Sequence, residues 1–149
     1  MTYRETLWPN PLTYLAFFLE VPIIILLLAP FSLPLGIAVA SVIFVIIVIS
    51  LIATSPRIEI TATTLRVGKA AIGLEYLGAA SAFVGLPATA QRGPELDARA
   101  WTRFRAWVNP VVRVDIIDEA DPTPYWLFST RRPTELVNVL RALRAEQKS

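Results

Sequence analysis

Between Pro11 and Ala53 the chain runs for 43 residues with one charged side chain, Glu20, against a background of Leu, Ile, Val, Ala and Phe. A hydrocarbon layer about 30 Å thick takes roughly 20 apolar residues as a helix, so the stretch is long enough for two crossings. Pro30 and Pro34, with Phe31, Ser32 and Leu33 between them, interrupt the pattern, and two such prolines do not fit inside one straight helix. The expectation is a transmembrane hairpin: helices over 11–29 and 33–53, a turn at 30–32, and a flank at 1–10. One long tilted helix is the alternative. Pro22, Pro30, Pro34 and Gly36 oppose it, because a packed neighbour satisfies carbonyls freed by proline better than lipid does. A cleaved signal peptide is disfavoured by a flank with one basic residue, Arg4, and by the lack of a short apolar core with a small-residue cleavage site.

Basic residues are retained on the cytoplasmic side of a membrane, and the turn between the helices has no charge. Arg4 precedes the first helix, and Arg57, Arg66 and Lys69 follow the second. Both ends are therefore expected in the cytoplasm, with the chain in the cell membrane and Trp8 and Tyr14 at headgroup level.

Residues 57–149 read as one small soluble domain of 93 residues. It carries 13 Lys plus Arg against 10 Asp plus Glu, a net of +3 that is too small and dispersed to argue nucleic acid. A weakly basic domain does suit an anionic leaflet. The chain has no Cys and no His, which removes disulfides, thiol chemistry, the commonest general base and the commonest metal ligand. No nucleophile with a base and an orienting third group is apparent, so the expectation is a non-catalytic chain with no cofactor and no metal.

Pro56 ends the helical pattern and alternation begins at once, with Ile58 and Ile60 against Arg57 and Glu59, then Leu65 and Val67 against Thr64 and Arg66. Ile72, Leu74 and Tyr76 extend this to a third strand of a meander. From Gly78 to Pro94 the pattern weakens, and one short strand around 81–84 followed by a loop is expected. Further strands are expected over 102–108, around Val112, Val114 and Ile116, and over 125–130. The crowded carboxylates Asp118, Glu119 and Asp121 lie beside Pro122 and Pro124 without calcium-loop spacing, and read as a solvated turn. Pro133 and Glu135 mark a helix start, and Leu136, Val139, Leu140 and Leu143 give an amphipathic helix over about 133–146, with Arg141, Arg144 and Lys148 toward its C-terminal end.

Three groups of residues are candidates for function. In the membrane, Glu20 with Pro22 could contact a partner or carry a proton, since a mid-membrane carboxylate costs on the order of 3 kcal/mol; the other reading leaves Glu20 at the interface on a shallow helix. Gly36 and Ala40, four apart, let a backbone approach closely, either the first helix or another protein. In the domain, a strand over 101–108 would put Trp101, Arg103, Arg105 and Trp107 on one basic and aromatic face, a surface for anionic lipid headgroups or a half-buried strand with arginine stems over tryptophan rings. Arg131 and Arg132, beside a helix start, could clasp an anion, or pair internally with Asp97 or Asp121.

The runs SPRIEI at 55–60, LRVGKAAIGLEYLG at 65–78, DARAW at 97–101 and DPTPYWLFSTRRPTEL at 121–136 resemble an uncharacterised actinobacterial family of small two-helix membrane proteins carrying a domain of unknown function. The resemblance covers essentially the whole chain and implies no reaction. The layout of a meander closed by a C-terminal helix is similar to bacterial pleckstrin-homology-like domains fused to membrane helices. The fold expected is thus α+β: a transmembrane helical hairpin, then a small antiparallel β domain, a meander or partial barrel closed by an amphipathic helix. The function expected is an accessory or assembly subunit of a larger membrane protein complex, with anionic-lipid binding as the alternative and an enzyme third.

Overall fold

The computed structural model describes residues 3–148, in two units. One is the continuous segment Trp8–Ser55; the other joins the chain up to Leu7 with the chain from Pro56 onward.

In the first unit, Asn10 caps α1 (Pro11–Phe18): its side-chain oxygen accepts from the Thr13 amide at 2.8 Å, and Pro11 takes a first-turn place that needs no amide hydrogen. Leu19 separates α1 from α2 (Glu20–Leu28). Pro22 has no hydrogen to offer the carbonyl of Phe18, which is where the helix is interrupted. Ser32 then caps α3 (Leu33–Ala53), accepting from the Leu35 amide at 3.4 Å. The contact between α2 and α3 is built on Gly36, where an added Cβ would lie 3.2 Å from the Ile25 carbonyl oxygen. Phe18 meets Phe44 edge-on at 5.6 Å. No residue of α1 or α2 is buried, and of α3 only Gly36 and Ala40 are. Pro11–Leu28 and Leu33–Ala53 are each long and apolar enough to cross a membrane.

The second unit is α+β. Its first sheet has the order β1 (Tyr3–Thr6), β2 (Arg57–Ile60), β3 (Thr64–Val67), β4 (Ala70–Gly73), all antiparallel. The alternation of β2 and β3 turns Ile58, Ile60, Leu65 and Val67 inward, each at most 1% exposed. Gly68 and Lys69 form the two-residue turn between β3 and β4, and Gly68 takes φ +62°, as the first central position of a hairpin turn of this hand requires. A 3-10 turn, Leu74–Tyr76, then carries the chain into the second sheet.

That sheet has the order β5 (Leu77–Phe83), β7 (Val111–Ile116), β8 (Tyr125–Ser129), β6 (Trp101–Arg103). β5, β7 and β8 pair antiparallel, while β6 runs parallel to β8. β8 is buried along its whole length because both faces are covered. On one face Val112, Val114, Trp126 and Phe128 join the core residues of the first sheet and Leu136, Val137, Leu140 and Leu143 of α5 (Pro133–Lys148). On the other, Val111, Tyr125 and Leu127 cluster with Ala88 of α4 (Leu86–Arg92).

The structure revises several expectations. The flank before the apolar helices contains β1, whose Tyr3, Arg4, Glu5 and Thr6 pair with Ile60, Glu59, Ile58 and Arg57. The third strand stops at Gly73, since Leu74 turns into the core and its amide is taken by the Thr63 carbonyl at 2.9 Å. The short strand expected around 81–84 is the seven-residue β5, and the loop after it contains α4. The second sheet is not a simple meander, because β6 lies on the far edge of β8. Arg141 and Arg144, in the C-terminal half of α5, also donate to the carbonyls of Ala80 and Gly78, beside the irregular register of β5 between Leu77 and Ala80. The side chain of Lys148 lies outside the described residues.

Candidate functional site

Glu20 opens α2, close to the middle of the apolar segment Pro11–Leu28, and its side chain is exposed, as is Pro22. Gly36 and Ala40 are buried, with Gly36 in the contact between α2 and α3. Of the four residues expected to meet a partner in the membrane, Glu20 and Pro22 therefore remain at the surface of the helical unit.

The expected strand over 102–108 is not formed. β6 ends at Arg103, Arg105 bridges Val108, and the chain turns between them. The shared face is broken accordingly. Trp101 stacks on Trp126, its register partner, with centroids 4.4 Å apart. Trp107 packs against the core and donates its indole hydrogen to the Leu7 carbonyl at 3.4 Å. Arg105 lies over the Trp107 ring at 5.6 Å, the arginine-over-tryptophan arrangement, and its amide donates to the buried Ser129 hydroxyl at 3.0 Å. Burial, and after it the charge of Arg103, holds the Arg105 guanidinium below its ordinary pKa. Arg103 stays exposed and shares a cleft with Trp101 and Lys69.

Among the described residues Arg132 pairs with neither Asp97 nor Asp121. The Arg131 amide donates to Glu5 at 2.8 Å, and Arg132 pairs with Glu135 at 3.5 Å in the first turn of α5. Asp97 instead pairs with Arg99 at 3.1 Å, and hydrogen bonds from the Arg99 side chain and amide hold its pKa below the usual carboxylate value. Asp118 and Asp121 accept the amides two residues on, those of Ala120 and Thr123.

Two features escaped the sequence reading. Glu5, from β1, accepts from the Tyr3 hydroxyl at 2.9 Å, the buried Thr130 hydroxyl at 2.5 Å and the Arg131 amide, which ties the start of the chain to the corner between β8 and α5. The Tyr3 phenol is raised above its ordinary pKa, mainly by burial. Arg92, from α4, reaches the Val108 carbonyl and the Ser129 hydroxyl, lies over the Phe104 ring at 5.3 Å, and is lowered by burial. Neither residue stands in a sequence pattern that signals its distant partner.

A family model described as protein of unknown function (DUF3093) matches residues 2–140, which spans all of the helical unit and the other unit as far as the first half of α5. The chain belongs to the DUF3093 family. The match begins ahead of β1, so the DUF3093 region includes the strand that precedes the apolar helices as well as the chain after them up to residue 140. No curated protein and no solved structure matches the chain.

Proposed function

We propose that this DUF3093 chain is a membrane-anchored, non-catalytic interaction module, an accessory or assembly subunit of a larger membrane protein complex, with α1 to α3 crossing the cell membrane twice and both termini in the cytoplasm. The observation that carries the reading is Glu20, an exposed carboxylate on the outer surface of an apolar helical pair, close to the middle of a span. Lipid offers such a group nothing, and intramembrane carboxylates characteristically face a partner or a polar interior. Gly36 and Ala40 hold the pair together, so the partner surface lies with Glu20, Pro22 and the exposed aliphatic residues around them.

Strand pairing supports an even number of crossings independently of charge. Thr6 and Arg57 are register partners, so they occupy the same side of any bilayer that the chain between them enters. Arg57, Arg66 and Lys69 on that side support placing it in the cytoplasm.

The test is purification of the chain from its native membrane in mild detergent, with mass spectrometry of what stays bound, for the native chain and for Glu20→Leu. One stoichiometric membrane complex with the native chain, lost with Glu20→Leu, is the expected result. The substitution removes a cost of about 3 kcal/mol from insertion, so poor insertion would not account for the loss. Recovery of the native chain alone, or only with copies of itself, would overturn the accessory-subunit reading.

A further inference from the structure

The cleft shared by Trp101 and Arg103 has a volume of about 390 Å³ and is lined by Val67, Lys69, Ala70, Trp101 and Arg103, all in the β-containing unit. Two cations therefore converge on it, one from the β3–β4 turn and one from the end of β6. The convergence is built by backbone. Gly68 at φ +62° turns the chain tightly so that Lys69 follows at once, and an added Cβ on Gly68 would stand 3.9 Å from Nε of Arg103. Trp101, half-buried against the core and stacked on Trp126, makes a fixed apolar wall.

The charges are uncompensated. Among the described residues Lys69 and Arg103 enter no ion pair such as those of Arg4 with Glu59 or Arg113 with Asp115, and no carboxylate lines the cleft. Both side chains are exposed and therefore available. A guanidinium beside an ammonium suits an oxyanion with several acceptor oxygens, and the tryptophan wall suits an apolar group attached to it.

We propose that this cleft binds a phosphate group, with Arg103 and Lys69 as the anion ligands and Trp101 as the wall against which the substituent lies. The proposal does not depend on the accessory-subunit reading, since neither Glu20 nor a partner is involved. The source of the phosphate is either a soluble ester or a lipid headgroup, and two probes separate these.

The full chain is purified in a maltoside detergent, which contains no phosphorus. Inorganic phosphate and the short-chain lipid dihexanoyl phosphatidylglycerol are each titrated and followed by phosphorus NMR line width, with dihexanoyl phosphatidylcholine as the zwitterionic comparison. Saturable broadening that weakens with salt is expected, with affinity falling about tenfold or more in Lys69→Ala/Arg103→Ala and unchanged in Arg66→Ala, an exposed cation away from the cleft lining. Lys69→Arg should retain binding. Tighter binding of phosphatidylglycerol than of inorganic phosphate assigns the group to a headgroup; binding of inorganic phosphate alone assigns it to a soluble ester. Absence of saturable binding by both anionic probes overturns the proposal, as does equal binding by the double variant with an unchanged circular dichroism spectrum.

Discussion

Tyr3 and Glu5 show how two residues in a short leading segment come to matter. Alternation along β1 sends Tyr3, Glu5 and Leu7 to the core side, with Tyr3 5% and Leu7 1% exposed, and Glu5 meets Thr130 and Arg131 there. The Tyr3 phenol is raised by burial, opposed by its hydrogen bond with Thr130, and raised further by the Glu5 carboxylate. A phenol raised in the folded state keeps its proton more tightly folded than unfolded. Its contribution is complete below the unfolded value of about 10 and is lost as pH rises beyond it. The chain should therefore lose stability as pH rises above about 10, and Tyr3→Phe should flatten that loss while leaving the acid side unchanged, as read from urea midpoints. An equal alkaline loss in Tyr3→Phe would remove Tyr3 as its source. Little of this was legible beforehand, because YRET carries no alternation long enough to mark a strand and its partners lie more than 50 residues away.

Among the elements, those that declare themselves locally were read directly. The apolar run needs only hydropathy, β2 and β3 alternate, and α5 has its proline start and periodic leucines. α4 was missed although Gly85, Pro87 and Gly93 punctuate it as proline-near-start and glycine-after-end do elsewhere; its apolar content is too low to show a period. The alternation of 101–108 was real in sequence, yet the chain turns after Arg103, and Arg105 to Val108 close a bridge that alternation cannot foretell. The cleft was illegible for the same reason, since Lys69 and Arg103 meet only through the packing of two sheets' elements. β1 gives the element-scale prediction. Burying Tyr3 and Leu7 contributes about 1.5–3 kcal/mol each, a large part of a small domain's net stability. A chain beginning at Pro56 should be markedly less stable, and prone to association through the uncovered edge of β2, than one in which a short turn replaces residues 8–55 and β1 is kept. Equal thermal midpoints for the two would contradict the role given to β1.

For the molecule as a whole, the apolar helices come after β1 and before every other strand. They occupy the connection between two paired strands, so the β-containing unit is discontinuous in sequence and closes only when both ends of the helical segment return to it. This arrangement makes the proposed double crossing testable by topology. The chain contains no cysteine, so single replacements report cleanly. Phe31→Cys places a thiol in the turn between the helices, where the native side chain is 83% exposed, and Glu119→Cys places one in the exposed turn between β7 and β8. With a membrane-impermeant maleimide on intact cells, Phe31→Cys is expected to label from outside and Glu119→Cys to label only after permeabilisation. Labelling of both positions from the same side of the membrane, or recovery of the chain in the soluble fraction, would contradict the double crossing.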